Sequence, residues 1–340
     1  MPDPARLLRV SEPSDLRLTG WRENVGAPVT RRVAAPHPTV GAQPSLLVLS
    51  WNVWIGRGRL REVITRIRNG DYAELGVAPA PLVLLVQEAF RTDETVPDAS
   101  NGWGPRERPL DPRLREDVVE LAADLGLNLV YVPSMRNTTH RSDRGNAILS
   151  DLELEEPLAF ELPFVAQRRV PVAATVRVPA ANGAGIPLRL CSAHLDPWGS
   201  LGRDWLGAAG RAIQARSLLE TVESLPGEIP LILGADLNTT RGTREAAYRM
   251  LAEAGFTAGV PHREPAWRHT YHVMPRLPID YILFRSPGGE SDGDDRGGIA
   301  QAVVHRLNEN PRDRGAYVFG SDHHPLLATV HILPEPARRS

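Results

Sequence analysis

Short runs that are apolar at every position recur along this chain and stop abruptly at polar residues. A run with no alternation cannot lie on a half-wetted surface, so it limits the folds open to the chain. Leu46-Leu47-Val48-Leu49 and Leu82-Val83-Leu84-Leu85-Val86 have strand length rather than helix length, and each reads as a strand covered on both faces. The polar stops are Ser50-Trp51-Asn52, Gln87-Glu88, Ser192-Ala193-His194, Gly234-Ala235-Asp236-Leu237-Asn238 and Ser321-Asp322-His323-His324-Pro325. In Pro278-Ile279-Asp280-Tyr281-Ile282 the acid instead precedes its apolar run.

Between these runs the period changes. Leu60, Val63, Ile64 and Ile67 have helical spacing, as does the segment Leu114 to Leu125, with Gly126 suited to closing it. Arg203 to Leu225 is the longest helical pattern, with Leu206, Ile213, Leu218, Val222 and Leu225 near one face, and Glu245 to Ala254 is another. Further strands are expected at Leu129–Val132, Ala147–Leu149, Leu152–Leu162, Val170–Val178, Pro187–Ser192 and Ile229–Leu233. Ile282–Phe284, Ile299–His305 and Leu326–Ile332 complete the set. Strands outnumber helices without strict alternation, which predicts an α/β sandwich of two packed mixed β-sheets flanked by helices. Residues 1–44 are Pro- and Arg-rich with little periodicity and read as an N-terminal extension; residues 45–340 read as the domain.

Composition removes several classes of function. At 340 residues, 42% hydrophobic and 24% charged, the chain has the make-up of an ordinary globular protein. A formal charge of −2 gives no global basic field to attract nucleic acid. All 39 basic residues are arginine, so no lysine nucleophile is available. Cys191 is the single cysteine and lies in an apolar run, which leaves no intramolecular disulfide and no multi-Cys zinc site. No secretion signal and no membrane-length apolar stretch is seen, so a cytoplasmic protein without stable membrane insertion and with no obligate protein partner is expected.

Taken one at a time, the polar stops have ordinary explanations. Asn52 suits a strand-end turn, Asp236 and Asn238 suit an Asx turn, and His194 suits a satisfied strand-end histidine. Glu88 is less easily explained, because a carboxylate ending a fully apolar strand is costly without a cation. Asp322 precedes His323 and is placed to orient or charge an imidazole. Polar residues at strand ends in five separate segments are what a site on a sheet rim requires.

In set and order, Asn52, Gln87-Glu88, His194, Asp236-x-Asn238, Asp280 and Ser321-Asp322-His323 resemble the endonuclease/exonuclease/phosphatase superfamily, with its DNase-I-like fold. Gly145-Asn146-Ala147-Ile148-Leu149-Ser150 is similar to that family's glycine-containing strand, and the resemblance runs from about Ser45 to Ile332. It implies a four-layer αββα sandwich and metal-dependent hydrolysis of a phosphate ester. Carried over, Glu88 would be the principal Mg²⁺ or Mn²⁺ ligand, supported by Asn52, with Asp322 near the metal. Asp236 would position or deprotonate the attacking water, and Asn238 would hold a phosphate oxygen. His323 would sit over the phosphate, oriented by Asp280. His194 matches the position where DNase-like and sphingomyelinase-like members carry His and abasic-site endonucleases carry Tyr.

The substrate is less legible. Asn146, Arg144, Arg169 and Trp198 are the expected substrate-binding residues, with Arg141, Arg168 and Trp205 nearby in sequence. The polar insertion Arg91–Pro112 around Trp103 is expected to face substrate. A nucleic acid or nucleotide phosphodiester is favoured, a lipid or sugar phosphate is the alternative, and a non-catalytic binding module on the same fold is the other class.

Overall fold

In a computed structural model, the structure describes residues 6–8, 16–33, 44–102, 110–137, 140–180, 183, 185–198, 206–261, 269–287, 298–310 and 315–333. The strands run β1 (Arg6–Leu8), β2 (Val29–Arg31), β3 (Ser45–Asn52), β4 (Leu82–Thr92), β5 (Asn128–Arg136), β6 (Ser142–Ser150) and β7 (Glu155–Phe160). They continue with β8 (Val172–Val178), β9 (Ile186–His194), β10 (Leu231–Asp236), β11 (Thr257–Ala258), β12 (Val260–Pro261), β13 (Asp280–Arg285), β14 (Gly298–Arg306) and β15 (Leu326–Leu333). The helices are α1 (Leu16–Glu23), α2 (Leu60–Arg68), α3 (Val118–Asp124), α4 (Ala208–Glu223) and α5 (Ala246–Glu253). Among the described residues no helix is long and apolar enough to cross a membrane.

The strands form a seven-stranded sheet, β1-β7-β8-β9-β10-β13-β11, and an eight-stranded sheet, β12-β14-β15-β3-β4-β6-β5-β2. Both are mixed: β3 pairs parallel with β4 and β9 with β10, while most other neighbours are antiparallel. The unbroken apolar runs now have a cause. Along β3, Leu46 and Val48 enter the core between the sheets, whereas Leu47 and Leu49 pack beneath α2 and α3. On β10, Ile232 faces the central core while Leu231, Leu233 and Ala235 join the core under α4 and α5. Three stacked cores separate four layers, the expected αββα sandwich. The four apolar side chains of α2, Leu60, Val63, Ile64 and Ile67, are all buried. Each contributes about 2 kcal/mol.

The sheets come closest under the rim where the polar stops gather. A Cβ on Gly234 would lie 2.7 Å from both Leu85 Cδ1 and Ser50 Oγ, so only glycine fits there. Gln87 Nε2 donates across the gap to the Gly234 carbonyl and to Ser192 Oγ, each at 3.2 Å, and Ser192 Oγ donates to the Val86 carbonyl at 3.1 Å.

Several boundaries differ from the sequence reading. β4 does not stop at Glu88 but continues through Thr92, past a bulge between Val86 and Ala89 where Glu88 has φ 52°. Arg91 is therefore a buried strand residue paired with Asp143 at 2.5 Å and not part of a substrate-facing loop. Leu114 is exposed on a short 3₁₀ turn, and α3 starts only at Val118, where the Asp117 carboxylate caps it. On α4 the buried face carries Arg211 and Gln214, and Ile213 is 55% exposed. Arg211 takes that face because Nε bonds Glu245 at 2.5 Å and Nη1 bonds the Asp196 and Pro197 carbonyls.

Part of the segment read as an extension adds to both sheets. β1 pairs with β7 and β2 with β5, and the Arg22 guanidinium bonds Glu161.

Candidate active site

Sheet register places three of the expected residues in one row. Asp236, the last residue of β10, is the direct partner of His194 on β9 and of Asp280 on β13. The row lies beneath the rim, with His194 4%, Asp236 1% and Asp280 3% exposed. The Asp236 carboxylate accepts from Asn52 Nδ2 at 2.9 Å and from the Asn238 backbone N–H at 3.0 Å. His194 Nε2 lies 3.4 Å from Asp236 Oδ2, and His323 Nε2 lies 3.9 Å from the same oxygen. One buried carboxylate thus stands between two imidazoles.

The second half of the site comes from the eight-stranded sheet. Asn52 ends β3 and joins the sheets through its bond to Asp236, while its Oδ1 accepts from the Trp54 N–H at 3.0 Å. Glu88 is half-buried on the β4 bulge, which turns the strand locally and re-aims this side chain. Asp322 lies close enough to Glu88 for the two charges to repel, and Asp322 Oδ1 is buried without a hydrogen-bond partner. Two carboxylates near enough to repel, one with an oxygen that has no hydrogen bond and only His323 Nε2 at 3.8 Å, form a donor set that fits a hard dication such as Mg²⁺ or Mn²⁺.

The turn before β15 is tied down on several sides. Ser321 Oγ donates to the Asn52 carbonyl at 2.7 Å and accepts from the His323 N–H at 3.1 Å. Trp51 Nε1 donates to the His323 carbonyl at 2.9 Å. With its backbone held, His323 bonds Asp280 Oδ2 through Nδ1 at 2.8 Å. Asp280 is itself fixed by Thr270, whose Oγ1 accepts from the Ile279 and Asp280 N–H groups at 3.0 and 2.9 Å. The Tyr271 ring packs edge-on against the His323 ring, with centroids 5.1 Å apart.

The surroundings drive the two imidazoles in opposite directions. Burial disfavours the His323 cation, but Asp280, Asp322 and Asp236 outweigh it and raise its pKa to about 10. His194 is held well below the usual imidazole range by burial and by the nearby Arg169, His323 and Arg144 charges. The surroundings thus favour the cation at His323 and the neutral ring at His194. Burial, then repulsion from Asp280, pushes the Asp236 carboxyl up to about 7. Burial and Glu88 push Asp322 up to about 6. Asp236, Asp280 and His323 also bring ligand atoms within 4.8 Å of one another. There His323, drawn toward its cation, supplies a counter-charge to the two carboxylates.

The remaining expected residues are placed differently. Asn238, at φ 52°, donates through Nδ2 to the Leu195 carbonyl at 2.9 Å. Asn146 is buried, with Nδ2 on the Val170 carbonyl at 2.8 Å. Arg169 is buried against Asp196 and Gln167, and Arg144 against Asn137, both close enough to His194 to shift it. Arg168 pairs with Glu161 and Arg141 with Asp98, so much of the expected positive charge is neutralised locally. Trp198 is 59% exposed on the loop after β9, outside the hydrogen-bonded cluster. Trp205 and Trp103 lie outside the described residues.

Thr270, Tyr271 and Gln87 were not among the expected site residues. Neither was Arg57, whose guanidinium lies against both the Trp54 and Tyr317 rings, 4.5 and 4.6 Å from their centroids, while the two rings pack on each other at 4.9 Å. A polar, aromatic His269-Thr270-Tyr271-His272 stretch ahead of Asp280 was the available signal.

Comparison with known proteins agrees with this fold. The Endonuclease/Exonuclease/phosphatase family profile matches residues 49–323. The human Nocturnin catalytic domain with a bound sulfate anion is similar at TM-score 0.50 and 17% identity, over 86% of this chain and 96% of that one. An endonuclease/exonuclease/phosphatase from Beutenbergia cavernae is similar at TM-score 0.51 and 18% identity, over 87% of this chain and 73% of that one. A family protein from Leptotrichia buccalis is similar at TM-score 0.51 and 16% identity, over 84% of this chain and 99% of that one. Among curated proteins the chain has no significant match. The profile spans both halves of the rim, from the apolar run before Asn52 to His323, and the chain belongs to the endonuclease/exonuclease/phosphatase family.

Proposed function

We propose that this chain is a divalent-metal-dependent phosphoesterase that hydrolyses a phosphodiester bond, in a nucleic acid or nucleotide, by direct attack of an activated water. The observation that carries this reading is the buried Asp236 carboxylate, 3.9 Å from His323 Nε2 and 3.4 Å from His194 Nε2, with burial pushing its carboxyl up to about 7 and the surrounding carboxylates raising His323 to about 10. A base poised near neutrality next to a persistent cation is a matched pair for attack on a phosphate. Asp236 takes the proton from water while Asn52 and the Asn238 N–H hold its carboxylate in place. His323, kept cationic and aimed by Asp280, offers Nε2 to a phosphoryl oxygen or to the leaving oxygen. Neutral His194 supplies a further imidazole beside Asp236.

Glu88 and Asp322, with Asn52 beside them, would hold the Mg²⁺ or Mn²⁺ ion. When bound, that ion supplies Lewis-acid stabilisation of the charge that builds on the phosphate oxygens. No covalent nucleophile is needed; burial pushes the Cys191 thiol up to about 12, far from a working thiolate.

The Trp54–Arg57–Tyr317 cluster supports a nucleotide-type substrate, because it sets a cation and a flat ring of the loop that follows Asn52 beside a second ring from the segment before β15. The test is an activity panel over single-stranded DNA, duplex DNA, RNA, sphingomyelin and inositol phosphates, with Mg²⁺, Mn²⁺ or excess EDTA. Hydrolysis of a nucleic acid that EDTA abolishes is expected. Full turnover in EDTA overturns the metal assignment, and activity confined to sphingomyelin or inositol phosphates overturns the substrate assignment.

A further inference from the structure

Behind the catalytic histidine lies a second cluster that the phosphoesterase reading does not use. His269, His272 and His324 are 8%, 3% and 0% exposed, and each offers a ring nitrogen within 4.8 Å of the others. Two backbone bonds clamp their segments together: the His272 N–H donates to the Asp322 carbonyl at 2.7 Å, and the His324 N–H to the Thr270 carbonyl at 2.8 Å.

The hydrogen bonds around two of these rings fix where their protons sit. His272 Nε2 lies 3.1 Å from the Gly315 carbonyl, and His324 Nδ1 lies 3.1 Å from the Leu307 carbonyl. A carbonyl oxygen can only accept, so both nitrogens carry hydrogen. In neutral rings the other two nitrogens, His272 Nδ1 and His324 Nε2, are then bare, and they face each other at 3.1 Å. The two lone pairs thus converge with a nitrogen of His269 on one region, within reach of a single cation.

We propose that His269, His272 and His324 form a transition-metal site suited to Zn²⁺, separate from the Mg²⁺ or Mn²⁺ set at Glu88 and Asp322. Imidazole nitrogens suit zinc, cobalt, nickel and copper, whereas Mg²⁺ prefers oxygen. Ligands on a tetrahedral zinc, with Zn–N near 2.0–2.1 Å, stand about 3.3 Å apart, close to the His272–His324 spacing. Each of those rings already donates its far N–H to a backbone carbonyl, the arrangement that orients a metal-bound histidine. His269 is the weakest of the three, since Arg306 Nη1 approaches its Nε2 at 3.4 Å while bonding its carbonyl at 3.0 Å. The site acts as a clip: it joins the segment bearing Thr270 and Tyr271 to the turn bearing His323, and so positions Asp280 and His323 without touching substrate.

The test uses the full chain, stripped with a chelator and returned to excess Mg²⁺ so that the oxygen-rich set is filled, then titrated with Co²⁺. One equivalent is expected, with the visible absorption of a nitrogen-ligated, low-coordinate cobalt that stoichiometric Zn²⁺ abolishes. His272→Gln and His324→Gln should each weaken binding at least about tenfold. His269→Gln should weaken it less, and Glu88→Gln should leave it unchanged. The wild-type titration needs no variant to fold, and circular dichroism checks the variants. Absence of the cobalt spectrum in the wild-type protein means a shared proton bridges the rings and overturns the proposal. A spectrum that survives His272→Gln or disappears in Glu88→Gln overturns it as well.

Discussion

The two sheets bring unlike chemistry to the same rim. The seven-stranded sheet delivers His194, Asp236 and Asp280 in one register row, almost fully buried. The eight-stranded sheet and the turn before β15 deliver Asn52, Glu88 and Asp322 on a strand end, a bulge and a turn, with one carboxylate oxygen left without a hydrogen bond. Regular pairing fixes positions to fractions of an ångström, which suits proton transfer, where a small misplacement is expensive in rate. The bulge leaves Glu88 half-buried and adaptable, which would suit an ion that exchanges water. Asn52 joins the halves, since it belongs to one sheet and bonds the key carboxylate of the other.

The sharpest way to break this division is Asp236→Asn. The amide keeps the size of the side chain but cannot take a proton, so kcat should fall by about 10²–10⁴ while the Mg²⁺ requirement stays as it was. Its pH signature follows from the raised carboxyl. Below about 7 Asp236 is protonated and idle, so wild-type kcat/KM should drop as pH falls through that value. His323 stays protonated up to about 10, so no loss from that group is expected between pH 7 and 9. A pH–rate profile flat from 5 to 9 would remove Asp236 from the base role.

Glu88→Gln attacks the other half. Here the Mg²⁺ concentration for half-maximal rate should rise at least about tenfold, with part of kcat regained at saturating metal. A metal titration of the two variants side by side is the check. If Asp236→Asn moves the metal requirement and Glu88→Gln does not, the halves have been assigned the wrong way round.

Thr270→Val probes how the dry half is held. Valine keeps the shape but leaves the Ile279 and Asp280 N–H groups without their shared acceptor. Stability should fall by about 1–3 kcal/mol in denaturant unfolding, with a loss of kcat that Thr270→Ser restores. Equal stability in the valine variant would show that Asp280 is held by its strand alone.

Much of the fold was legible because β3 and β10 are buried on both faces and therefore read as unbroken apolar runs. Strands carrying buried polar residues were cut short. β6 was read as three residues and spans nine, because Asp143 and Asn146 are satisfied across the sheet by Arg91, Tyr131 and the Val170 carbonyl. From sequence β4 stops at Glu88 because an acid on a bulge looks like a strand end. Glu88, Asp236, Asp280 and His323 stand out in the sequence as candidates because each abuts an apolar run, and the structure brings them to one rim. Thr270 and Tyr271 were not, because their segment has no period, and their role exists only through contact with Asp280 and His323. Register is equally invisible: nothing in the spacing of residues 194, 236 and 280 says that they share a row.

The smallest effect tests where the open half meets its substrate. Trp54 and Ile55 both have positive φ, at 47° and 54°, so the loop after Asn52 turns sharply. Gly58 N–H on the Val53 carbonyl at 2.8 Å and Arg59 N–H on the Phe319 carbonyl at 2.7 Å hold that turn. Arg57 is set on the faces of Trp54 and Tyr317, which fixes a guanidinium by its rings and leaves its N–H groups able to point at an anion. On this reading Arg57→Ala raises KM by about two- to fivefold, the worth of one such cation at a partly exposed site, and leaves kcat nearly unchanged. Arg57→Lys should recover little, because an ammonium neither stacks flat nor offers a planar fork. Steady-state kinetics on the preferred substrate, read beside the melting temperature, separates the two uses of the stack. An unchanged KM with a lowered melting temperature would make Arg57 a brace between the loop and Tyr317, and substrate affinity would then have to come from the dry half of the rim.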